Sequence, residues 1–72
     1  MKVALTIIMC SLLKAECLPP YTFSTTYDDY YDCLGAGYQK SLEKTQEIGR
    51  IIINKELVYL KFSCTQVPGT DA

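Results

Sequence analysis

Residues 1–17, MKVALTIIMCSLLKAEC, decide how much of this chain is available to fold. Lys2 supplies a positive start, residues 3–13 form an apolar run broken only by Thr6 and Ser11, and small residues stand at Ala15 and Cys17. That is the order of parts in a secretory signal peptide. Eleven helical residues reach roughly 16 Å, about half of a hydrocarbon core near 30 Å, so length disfavours a membrane anchor. A lipoprotein signal wants small residues directly before its acceptor cysteine, whereas Lys14, Ala15 and Glu16 precede Cys17. The expectation is a signal peptide over 1–17 and a secreted, extracellular product.

The cut site sets the cysteine count. Cleavage after Ala15 leaves Cys17, Cys33 and Cys64, an odd set in which a spare Cys17 thiol can join two chains as a dimer. Cleavage after Cys17 leaves only Cys33 and Cys64, and an even count suits the extracellular space better. The remaining 55 residues permit one domain, near the lower limit of independent stability. A Cys33–Cys64 disulfide would close a loop of about 32 residues, for which chain entropy gives roughly 3.5 to 4 kcal/mol. A structural zinc site wants four ligands, and two cysteines with no histidine in the chain do not supply them; no metal or other cofactor is expected.

Composition divides residues 18–72 into three parts: an arm over 18–32, a disulfide-closed domain over 33–64 and a flexible tail over 65–72. The arm opens with Pro19-Pro20 and shows neither a helical stripe nor sustained strand alternation, so it reads as extended. From Leu34 onward Leu34, Tyr38, Leu42, Thr45 and Ile48 recur at helical spacing. Gly35 and Gly37 weaken the first turn and move the expected start to about Tyr38, while Gly49 suits the position just past the end.

Residues 50–63 are ambiguous. Ile51, Ile52 and Ile53 are β-branched, and Val58, Leu60 and Phe62 alternate with Tyr59 and Lys61, which reads as two strands joined across Asn54-Lys55. The same letters fit a continued helix. One straight helix from Cys33 to Cys64 would separate its ends by roughly 46 Å, so a disulfide between them requires the chain to reverse. The expected fold is small α+β: one short helix over about 38–48, then a β-hairpin over about 50–63, stapled by one disulfide, behind an extended N-terminal arm. A two-helix hairpin is the alternative.

The absence of histidine removes His-based triads, His general acids and bases, and His metal ligands. Gly35-Ala36-Gly37 lacks the third glycine and the basic partner of a phosphate loop. No enzyme activity is expected. Beyond Cys17, Asp28, Asp29 and Asp32 stand without a base up to Cys33, after which five bases (Lys40, Lys44, Arg50, Lys55, Lys61) meet four acids (Glu43, Glu47, Glu56, Asp71). The net charge of −2 for that part argues against nucleic acid and anionic membrane, both of which need a basic footprint. No two basic residues are adjacent, so no dibasic processing site exists, and Asn54 lies outside any N-glycosylation motif.

One cluster exceeds background. Tyr27, Asp28, Asp29, Tyr30, Tyr31 and Asp32 interleave three tyrosines with three acids, the context in which secreted proteins acquire tyrosine O-sulfate. Sulfate would add full negative charges and acceptor oxygens facing Arg and Lys clusters, as phosphate does. The expected function is a binding protein whose acidic arm docks on a basic extracellular partner. The competing reading is a glandular or reproductive-fluid protein acting through an apolar contact made by Tyr59, Phe62 and the isoleucines.

Overall fold

The apolar run that opens the chain folds as β1 (Lys2–Ser11), the strand on which the whole sheet is built. The computed structural model describes residues 2–68. Val3, Thr6, Ile7 and Ile8 are β-branched and favour extended backbone, and a strand paired on both edges carries few polar positions. After β1 come β2 (Glu16–Cys17), β3 (Tyr21–Tyr27), α1 (Tyr30–Ile48), α2 (Arg50–Glu56) and β4 (Val58–Val67).

Every ladder is antiparallel and involves β1. β4 follows one edge of β1 over its full length, from Lys2 opposite Val67 to Ser11 opposite Val58. The other edge is shared end to end by β3, which pairs between Val3 and Ile7, and by β2, opposite Cys10 and Ser11. The β3 ladder bulges between Ala4 and Thr6. The segment expected to be a signal peptide is therefore inside the fold, and a cut after Cys17 would delete β1, β2 and all the sheet's pairing.

The α+β class stands, with three corrections to its parts. The helix begins at Tyr30 rather than near Tyr38, because Asp29 caps it: the Asp32 N–H donates to Asp29 Oδ1 at 2.8 Å. The expected hairpin over 50–63 is a short helix and a strand. Gly49, at φ 93°, turns the chain out of α1 and into α2, and Leu57, in the left-handed region at φ 54°, ends α2. Strands at 51–53 and 58–62 could pair over only a few residues, whereas β1 offers β4 ten partners. The longer ladder wins. There are also two disulfides rather than one, Cys33–Cys64 and Cys10–Cys17, with no free cysteine among the described residues.

β1 faces the helix with Val3, Leu5, Ile7 and Met9 and turns Ala4, Thr6, Ile8 and Cys10 to the opposite face. Val3, Leu5 and Cys33 are fully buried and form the core, with Phe23, Tyr27, Ala36, Phe62 and Cys64 packed around them. The Cys33–Cys64 bond ties α1 to β4 directly over Leu5, the cross-strand partner of Cys64. One turn on, α1 approaches the sheet at Gly37, where a Cβ would collide with the Phe62 ring. The buried face of α1 is thus Cys33 and Gly37, one position off the expected stripe, and Tyr38 and Leu42 are exposed. Cys10–Cys17 closes the other end, across the β1–β2 hairpin.

Residues 65–67 of the expected tail belong to β4, and 69–72 lie outside the described residues. Among the described residues no helix is long and apolar enough to cross a membrane.

Candidate functional site

The six Tyr and Asp residues selected from the sequence form a corner rather than an arm. Tyr27 is the last residue of β3, opposite Val3, and packs its ring against the core. Asp28 and Asp29 make the bend, and Tyr30, Tyr31 and Asp32 are the first turn of α1. Asp29 is committed to its capping bond, and Asp32 lies in the first turn, where a carboxylate suits the positive end of the helix. The capping pattern, an aspartate with an acid three residues on, is legible in the letters 29–32, and the density of charge there hides it.

Asp28, Tyr30 and Tyr31 remain for a partner. The Asp28 side chain is 91% exposed, and its one ion pair, to Lys2 Nζ at 3.9 Å, is loose and solvated. Tyr31 is 83% exposed and Tyr30 52%. Capping, burial of Tyr27 and the ladder to Val3 hold these three groups on rigid elements.

A second feature lies between the C-terminal half of α1 and the sheet. Past Gly37 the helix buries no residue, and the sheet's apolar face is left as the floor of an open groove of about 670 Å³. Ile7, Met9 and Leu60 from β1 and β4, with Tyr21 and Phe23 from β3, make that floor. The tyrosine and phenylalanine rings meet edge to face at 4.9 Å. The rim is charged. Lys44 Nζ donates to Glu47 Oε1 at 2.8 Å, which lowers the Glu47 pKa, and Gln39 donates to Glu43 at 3.3 Å. Lys40 extends over the Phe23 ring, 5.0 Å from its centroid. No local pattern in the sequence points to this groove, because part of its floor comes from residues that read as a signal peptide.

The third feature is apolar. The 12–15 turn meets the end of α2: the Leu12 N–H donates to the Leu57 carbonyl at 3.0 Å, and the Ser11 hydroxyl donates to the Glu56 carbonyl at 2.7 Å. Leu12, Leu13, Leu57 and Tyr59 are exposed around this junction, and α2 presents Ile51 and Ile52, 80% and 50% exposed. Phe62, assigned from the sequence to such a surface, is instead packed on Gly37 and edge-on to Tyr38 at 5.0 Å.

No cluster of three or more His, Cys, Asp or Glu residues able to hold a metal ion exists among the described residues. No family model, curated protein or solved structure matches the chain.

Proposed function

We propose that this chain is a small secreted, non-enzymatic binding protein that docks on a basic extracellular protein through the corner at residues 27–32. The observation that carries the reading is the exposure of Asp28, Tyr30 and Tyr31 on a junction locked by the Asp29 cap. A preordered acidic surface loses little conformational freedom on binding, so its charges act on encounter rate and specificity without an ordering cost. Two disulfides support an oxidising compartment, and the absence of histidine supports a binding rather than a catalytic role. O-sulfation of Tyr30 and Tyr31 would strengthen the same surface by placing further anions beside Asp28.

The test uses an immobilised octa-arginine peptide and the triple variant D28N/D29N/D32N. Asparagine caps a helix as well as aspartate does, so the variant keeps the corner and loses only charge. The wild-type chain should associate at least ten-fold faster than the variant at low salt and converge with it as salt is raised. Equal rates would remove the docking reading. Intact mass of the protein from a sulfating host should show one SO₃ group per modified tyrosine. N-terminal sequencing of the exported product then tells whether 1–17 is cut away or kept as β1.

The apolar junction of Leu12, Leu57, Ile51 and Ile52 favours a second reading, association through an apolar contact. Association unaffected by salt and abolished by Ile51→Ser would select it.

A further inference from the structure

We infer that the groove between α1 and the sheet is a binding site for a single-chain amphiphile with an anionic head, such as a medium-chain carboxylate. The inference is independent of the docking corner and shares no residue with it.

An apolar sheet face normally sits under the apolar face of its covering helix. Here α1 buries only Cys33 and Gly37, with Ala36 and Tyr38 packed beside them. Beyond them it lines the groove with the long polar side chains of Lys40, Glu43, Lys44 and Glu47 and, at its end, with Ile48, across from Ile7, Met9 and Leu60. The site has an apolar floor under a mostly polar helix wall, and about 670 Å³ falls within the roughly 300–1,000 Å³ of small-molecule sites.

The rim selects the head. Glu47 is paired with Lys44, whereas Glu43 accepts a 3.3 Å hydrogen bond from the neutral Gln39 amide and keeps its charge. Lys40 makes no ion pair among the described residues; its ammonium is held over Phe23 at the groove wall. A tail lying on Ile7, Met9 and Leu60 therefore places an anionic head within reach of the rim's one uncommitted cation among the described residues.

The experiment titrates dodecanoate, below its micelle concentration, into the 72-residue chain with both disulfides formed, followed by calorimetry and NMR. Saturable one-to-one binding is expected, with a micromolar Kd and intermolecular contacts to the methyl groups of Ile7, Met9 and Leu60. Dodecyltrimethylammonium should bind at least ten-fold more weakly, and Lys40→Gln should weaken dodecanoate about ten-fold while leaving the circular dichroism spectrum unchanged. No saturable binding, equal affinity for the two heads, an unaffected Lys40→Gln variant, or contacts centred on Ile51 and Leu57 would each overturn the proposal.

Discussion

Asp29 shows how one side chain can be mistaken for surface charge when it is structural. Its carboxylate satisfies the Asp32 N–H at the start of α1, so Asp29→Ala should cost about 1 kcal/mol in urea denaturation, while Asp29→Asn should be near neutral. Gly37 is the complementary case. In the sequence it counts against helix, and in the structure it is the contact that admits Phe62. Alanine there gains helix propensity but overpacks against the ring, and Gly37→Ala should be destabilising by about 1 to 2 kcal/mol net. Glu47 titrates below the ordinary carboxylate value. Its hydrogen bond from Lys44 and that lysine's charge lower its pKa, so the support this pair gives the last turn of α1 is present at neutral pH and fades as the pH falls through the lowered value. The pair is exposed, and a change in helix content on acidification, lost in Lys44→Gln, is the measurement that detects it.

Among the elements, β1 has the largest role. Val3 and Leu5 fill the core, and all the other strands pair with this one. Leu5→Ala should cost about 2 to 5 kcal/mol, comparable with the roughly 3 to 5 kcal/mol that a core of this size supplies, and should therefore lower the urea midpoint sharply and leave the disulfides as the main support. The class α+β and the end of α1 at Gly49 were legible, because helical spacing and a glycine past the last periodic residue are local signals. The helix at α2 was not. Three consecutive isoleucines favour strand by propensity, but the backbone geometry at Gly49 and Leu57 and the competition for β1 override a preference worth only fractions of a kcal/mol per residue.

The molecule measures 47 × 20 × 16 Å, an elongated shape with a thin core, and crosslinks supply much of its stability. The Cys33–Cys64 bond, spanning 31 positions, should contribute roughly 3.5 to 4 kcal/mol, and Cys10–Cys17, spanning 7, roughly 2.5 kcal/mol. Replacing the first pair by serine should lower the unfolding midpoint more than replacing the second, and reducing both should leave no folded baseline. Residues 18–72 expressed alone should lack the sheet's amide protection in hydrogen exchange, since β3 and β4 pair with β1 and not with each other.

Read as letters, the chain already specified a small α+β unit, a helix ending at Gly49, the Cys33–Cys64 pairing and a Tyr/Asp cluster rich in negative charge. All but the pairing depend on local spacing and composition, which a single segment carries within itself. The role of residues 2–11, the partner of β4, the Cys10–Cys17 bond and the groove beside Lys40 emerged only from the folded chain. An apolar run of that length suits a translocated signal and a central strand equally, and the partner that makes it a strand lies at the far end of the sequence, with Lys2 opposite Val67. Long-range pairing of this kind leaves no periodicity in either segment alone.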